Sequence, residues 1–217
     1  MNMRLMEKEG FAGLFLRLRA EGVAGKDLLT ALEQTPRTLF LPAAYADAAY
    51  QDRIVPIDCG GFAESPDLVA RLISSLALEP THRVLDLGTG SGFLAAVAAR
   101  LAERVITIDR YKTLIQLAQQ RFTHLGIGNI IARQADGLKG VSGEGNFDRI
   151  IATCAFESMP RQFVDQLASG GVMLAPIVEE SGPPKMARLT KIGSRFERED
   201  LFSVPYRPFL PGVAAAL

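Results

Sequence analysis

The chain has 217 residues, 48% of them apolar, and its 24 Lys and Arg are balanced by 24 Asp and Glu. That length suits one domain with a proper core, and zero net charge argues against a basic nucleic-acid-binding face. Cys59 and Cys154 are too few for a disulfide framework and read as reduced thiols of a cytoplasmic protein, while the two histidines, expected at the surface or a helix edge, lie in no ligand cluster and argue for no metal.

Near the N-terminus, Phe11 to Leu18 is apolar but short and interrupted by Arg17, so neither a membrane span nor a leader is expected. Ser65 before Pro66 reads as a helix N-cap with proline in the first turn. Val84, Leu85 and Leu87 suit a buried parallel strand. Gly88, Gly90 and Gly92 follow at alternate positions, and Phe93 to Leu101 has helical spacing. Arg104 to Asp109 is a second strand. Tyr111 to Leu125 is an amphipathic helix with Leu114, Ala118 and Phe122 on one face. Asn129 to Gln134 and Phe147 to Thr153 are the third and fourth strands. Pro160 opens a helix to Leu167, Gly170-Gly171 ends it, and Val172 to Val178 is the fifth strand. Pro183-Pro184 marks an exposed loop. Lys185 to Ile192 and Arg195 to Val204 form a hairpin around Gly193-Ser194.

The alternation predicts an α/β fold: a doubly wound, Rossmann-like sheet, mostly parallel, covered by helices on both faces, with an antiparallel C-terminal pair at one edge. One domain over 1–217 is expected, with an N-terminal helical segment (1–65), a core (66–204) and a tail (205–217). The sequence sets no oligomeric state.

The glycine turn carries the chemistry. Glycine permits positive φ and close approach of a ligand to the main chain, and the following helix N-terminus offers free N–H groups. A dinucleotide fingerprint would need its third glycine three positions after the second; here it follows by two, and position 93 is Phe. Ligands of such sheets bind beyond the carboxyl ends of the strands. That places Asp86 to meet a ligand amine or order water, Asp109 to take two ribose hydroxyls, and Asp136 to meet an adenine amino group. Thr89, Ser91, Arg110 and Gly137 adjoin them as further cofactor-binding candidates. Each aspartate alone also fits an ordinary turn or cap.

The Asp86-Leu87-Gly88-Thr89-Gly90-Ser91-Gly92 segment resembles the first motif of class I methyltransferases that use S-adenosylmethionine. Ala31 to Arg37, Phe40-Leu41-Pro42, Ala49 to Arg53 and Val55-Pro56-Ile57 resemble, in that order, the protein-L-isoaspartate O-methyltransferase family. The similarity continues through Asp136-Gly137, Phe147 to Thr153 and Gly170-Gly171. It implies a Rossmann-like methyltransferase domain that binds S-adenosylmethionine and methylates the α-carboxylate of isoaspartyl residues in damaged proteins. No nucleic acid or membrane partner is implied.

The chain departs from its family before Pro66. Where the family usually carries Thr-Ile-Ser-x-Pro, with both hydroxyls at the acceptor, this chain has Phe62-Ala63-Glu64-Ser65-Pro66. Two unit charges 4 Å apart cost on the order of 4 kcal/mol at an effective dielectric of 20. Glu64 therefore points away, or is held protonated, or faces another acceptor. Glu64 and Ser65 are the catalytic candidates, Ser65 being also the cap. The alternatives to isoaspartyl repair are a methyltransferase for another carboxylate or peptide and a non-catalytic cofactor-binding protein.

Overall fold

The computed structural model describes residues 3–23 and 25–214, residues 3–6 by their backbone alone. Two helices, α1 (Met3–Ala20) and α2 (Lys26–Glu33), lead through 3-10 turns at Arg37–Phe40 and Ala43–Ala48 to two short strands, β1 (Val55–Pro56) and β2 (Phe62–Ala63). The α/β core follows: α3 (Pro66–Leu76), β3 (Arg83–Leu87), α4 (Phe93–Ala99), β4 (Arg104–Asp109), α5 (Lys112–His124), β5 (Ile130–Gln134), β6 (Phe147–Ala152), β7 (Leu167–Ile177), β8 (Lys185–Ile192) and β9 (Arg195–Ser203). Among the described residues no helix is long and apolar enough to cross a membrane.

The main sheet has the order β5-β4-β3-β6-β7-β8-β9. Its first five strands are parallel, and β8 and β9 add an antiparallel edge. The chain steps from β3 outward through β4 to β5, then crosses back to place β6 on the other side of β3. This reversal is a topological switch point, and it opens a crevice beyond the carboxyl ends of β3 and β6.

Strand alternation sorts the core into two layers. Val84 and Val105 pack with α1 to α5 on one face of the sheet; Leu85, Leu87, Ile106 and Ile108 pack on the other with Phe147, Phe163 and Met173. Helices were expected on both faces, but all five α-helices contribute to the first layer. The second is covered by the connection after β5 and by a 3-10 turn at Arg161–Gln166. Gly137, Gly140, Gly143 and Gly145 crowd that connection, and glycine costs about 1 kcal/mol per helical position. The helix expected from Pro160 to Leu167 is shortened because Leu167, fully buried, already pairs with Phe147 in the sheet. Gly170-Gly171 then lies within β7, at an irregularity where the register with β6 shifts.

The N-terminal elements are fastened to the core by charge and capping. Arg17 of α1 donates two 2.8 Å hydrogen bonds to the buried Asp67 carboxylate in the first turn of α3, a bidentate geometry that fixes both helices. Ser65 caps α3: its Oγ accepts from the Leu68 N–H at 3.1 Å, and Pro66 stands in the first turn. Ser65→Ala should lower stability by about 1 kcal/mol, seen as a lower urea midpoint. An unchanged midpoint would contradict the cap.

Candidate active site

Beyond Leu87 the chain turns sharply back onto β4. The Gly88 and Thr89 N–H groups both donate to the Ile108 carbonyl, at 2.8 and 3.1 Å. The Gly90 N–H donates to Asp109 Oδ2, and the Tyr111 N–H to Asp109 Oδ1, each at 3.0 Å. The turn is thus stitched to the end of β4. Gly88 takes φ +109°, where an added Cβ would overlap the Thr153 hydroxyl; Gly90 takes φ +51°.

Beside the turn lies a cavity of about 190 Å³. Gly88, Gly90 and Thr153 form its floor. Asp109, Arg110 and Tyr111 form the wall at the end of β4. Cys59 to Gly61, between β1 and β2, close one side with Phe62 of β2, and Arg207 to Leu210 of the C-terminal segment close another. The C-terminal segment is held by backbone bonds in both directions with Ala155: Ala155 N–H to Arg207 O at 2.8 Å, and Phe209 N–H to Ala155 O at 2.9 Å. Its Phe209 ring rests where any side chain at Gly137 would stand.

The structure divides the expected cofactor residues. Gly88, Gly90, Asp109, Arg110 and Gly137 are on the cavity wall. Asp86, Thr89, Ser91, Gly92 and Asp136 are not. Strand alternation turns Asp86 away with Val84, and it is 1% exposed. Its Oδ2 accepts from Thr107 Oγ1 at 2.7 Å, and Thr107 lies 2.6 Å from the Thr89 hydroxyl. Asp86 therefore braces the turn from beneath through Oδ2. Burial pushes its carboxyl well above the usual carboxylate range, against the Thr107 hydrogen bond, and its Oδ1 has no partner. Ser91 Oγ accepts from the Phe93 N–H, and Leu94 and Ala95 are buried, so the N-terminus of α4 does not open onto the cavity as expected. Gly92, at φ +87°, lets the turn pack against Ala118 and Phe122. Asp136 caps its own turn, accepting from the Leu138 N–H at 3.0 Å.

The expected catalytic pair is also divided. Ser65 is 5% exposed, committed to its cap and off the wall. Glu64 is half-buried and on the wall. Beneath it the buried Arg37 guanidinium donates through Nη2 to the Glu64 carbonyl and lies 4.4 Å over the Phe93 ring. Burial lowers Arg37 to about 10, which leaves it charged at neutral pH. The Glu64 carboxyl is pushed up by burial, opposed by its own backbone N–H, by Arg37 and by the Tyr206 hydroxyl. Beside it stands the buried Tyr206 hydroxyl, which makes no aligned hydrogen bond; the Tyr206 ring stacks on Phe62 at 6.1 Å.

Burial, aided by Asp109, Glu64 and Asp86, raises Cys154 to about 12, so its wall-lining thiol stays protonated and unreactive. His82, expected at the surface or a helix edge, is buried; its Nδ1 accepts from the Glu79 N–H, and burial lowers its pKa. Ile57, Cys59, Tyr111 and Leu210 also line the cavity without being singled out for it in the sequence. The available signal was Gly60-Gly61 between two short apolar runs.

The family model for protein-L-isoaspartate(D-aspartate) O-methyltransferase matches residues 10–213. The chain belongs to that family. It is 52% identical over 202 residues to a protein-L-isoaspartate O-methyltransferase of Rhizobium meliloti (strain 1021), covering 93% of this chain and 99% of the relative. A relative of the same name from Azorhizobium caulinodans is 43% identical over 211 residues, 97% of each chain. A solved protein-L-isoaspartate O-methyltransferase superposes with TM-score 0.81 at 25% identity, covering 91% of this chain and 65% of that longer one. A Plasmodium falciparum structure described as a protein-L-isoaspartate O-methyltransferase in complex with S-adenosyl-L-homocysteine superposes with TM-score 0.78 at 24% identity, covering 91% and 97%. The shared fold is the Rossmann-like methyltransferase sheet.

Because burial raises the folded-state pKa of Asp86 above its unfolded value, the stability contribution of this group is complete in acid and is lost as pH rises through the folded value. Asp86→Asn, which cannot ionise, should gain melting temperature relative to the native chain at about pH 8 and lose that advantage at about pH 3, where the unfolded carboxyl is protonated. A difference independent of pH would contradict this account.

Proposed function

We propose that this chain is an S-adenosylmethionine-dependent carboxyl methyltransferase acting on L-isoaspartyl residues of damaged proteins. The observation that carries the reading is the cavity at the switch point of a family member. Its floor is glycine backbone, and its wall presents a carboxylate at the end of the neighbouring strand.

The residues present fit the cofactor. An added Cβ at Gly90 would meet the Gly88 carbonyl and Ile57 Cδ1 at 3.9 Å, ordinary contact, so glycine there keeps the floor flat and meets the φ of +51°. Asp109 holds its carboxylate by two backbone N–H bonds and keeps further lone pairs for ribose hydroxyls. Tyr111, Leu114 and Phe209 give the cavity apolar surface for a purine, and the buried Arg110 Nε has no partner. S-adenosylmethionine supplies a methyl group already activated on a sulfonium.

The chain's own work is then positional. An acceptor carboxylate, with a pKa near about 3.9, is ionised at neutral pH and needs no general base. Phe62, stacked on Tyr206, and the Arg207–Leu210 segment exclude water. Holding the acceptor oxygen in line with the methyl carbon can contribute roughly 7–11 kcal/mol. The wall places no hydroxyl of Ser65 in the cavity and does place Glu64 there, which favours a second reading in which the acceptor is another carboxylate or peptide.

Transfer from labelled S-adenosylmethionine to an isoaspartyl peptide, beside its aspartyl twin, tests the reading. Label on the isoaspartyl peptide alone is expected; none, with the cofactor bound, would turn the search to other acceptors. Gly88→Ala should weaken S-adenosylmethionine binding on the order of tenfold or more, because a side chain at φ +109° must displace Thr153. Unchanged affinity by calorimetry would contradict the cradle.

A further inference from the structure

The acceptor end of the cavity holds an acid where a carboxylate substrate must arrive. Glu64 is on the wall, at the step from β2 into α3. Its main chain is pinned by Arg37 from below and by the Ser65 cap immediately after it. With its main chain held there, the place of Glu64 on the wall argues against the option that it points away.

The groups packed around Glu64 come from four elements. Arg37, from the Arg37–Phe40 turn, is the one cation among them; its Nη2 donates to the Glu64 carbonyl and its plane lies over Phe93, while its buried Nε and Nη1 have no partner and its charge opposes protonation of Glu64. Asp86 of β3 is acidic, with Oδ1 unpaired. Cys154, after β6, and Tyr206, from the C-terminal segment, are neutral, and the buried Tyr206 hydroxyl stands beside the Glu64 carboxyl. An ionised Glu64 here would repel the incoming carboxylate substrate.

Resting on the carboxyl methyltransferase reading above, we propose that Glu64 binds the acceptor as a neutral acid, donating its O–H to the carboxylate oxygen that is not methylated. Two carboxyl groups sharing one proton at close range is the stable arrangement when both cannot ionise. The Tyr206 hydroxyl beside it can donate to the carbonyl oxygen of neutral Glu64. The other acceptor oxygen gives its electron pair to the methyl carbon, the carbon–sulfur bond breaks with its pair left on sulfur, and Glu64 keeps its proton. Burial works in the same direction, holding the Glu64 proton to higher pH than in water.

The consequence is a pH dependence that a hydroxyl donor would not produce. For an isoaspartyl peptide, kcat/KM should fall as pH rises through the Glu64 titration, at up to about tenfold per pH unit. Glu64→Gln keeps an N–H donor and cannot ionise. It should retain kcat/KM within about tenfold of the native enzyme in mild acid and lose the alkaline fall. Glu64→Ser, a smaller donor, should flatten the profile in the same way, and thermal melts establish that each variant is folded. S-adenosylmethionine affinity by calorimetry should be unchanged in both. An alkaline fall that persists in the two variants would overturn the role of Glu64 while leaving the methyltransferase reading intact. So would loss of transfer at every pH by Glu64→Gln with the cofactor bound. No transfer by the native enzyme at any pH, with the cofactor bound, would instead overturn the isoaspartyl acceptor itself and this role with it.

Discussion

The site depends on how the turn after β3 is tied to the end of β4. One carbonyl, Ile108, takes the Gly88 and Thr89 N–H groups, and one carboxylate, Asp109, takes those of Gly90 and Tyr111. Four donors that would otherwise face the crevice are satisfied within the protein. The turn is therefore preorganised, and the cavity is shaped by glycine surface and by Asp109 rather than by an open helix N-terminus. Asp86, Thr107 and Thr89 brace the same turn from the buried side.

Around this fixed floor the remaining walls come from segments distant in sequence. The β1–β2 hairpin brings Cys59 to Phe62 over one side, and residues 207–210 return past Ala155 to cover another. Tyr206 against Phe62 joins the two. Contacts of this kind exclude water from a reaction whose main requirement is alignment.

Much of this was legible in the chain. The strands Arg104–Asp109 and Lys185–Ile192 were readable to the residue, because a strong apolar pattern ends in turn residues on each side. The glycine spacing after Leu87 located the crevice. The hairpin at residues 55–63 was not legible, since strands of two residues carry no periodicity. The direction of Asp86 was not read either: it depends on strand alternation relative to a core whose helix-covered side only the tertiary fold determines. The helix expected from Pro160 forms only as a 3-10 turn that stops at Gln166, because Leu167 is buried in the sheet. Glu64 was recognised as anomalous from the sequence, but its setting against Arg37 and Tyr206 is a product of long-range packing.

The central claim is that the cavity beside the β3 turn holds the cofactor with its reactive end towards Glu64. The most direct measurement is a crystal structure grown with S-adenosyl-L-homocysteine. The account predicts the ligand between Gly88, Gly90 and Phe209, its ribose hydroxyls on Asp109 and its sulfur on the side of Glu64. A ligand bound away from Asp109, or one whose sulfur faces away from Glu64, would contradict it.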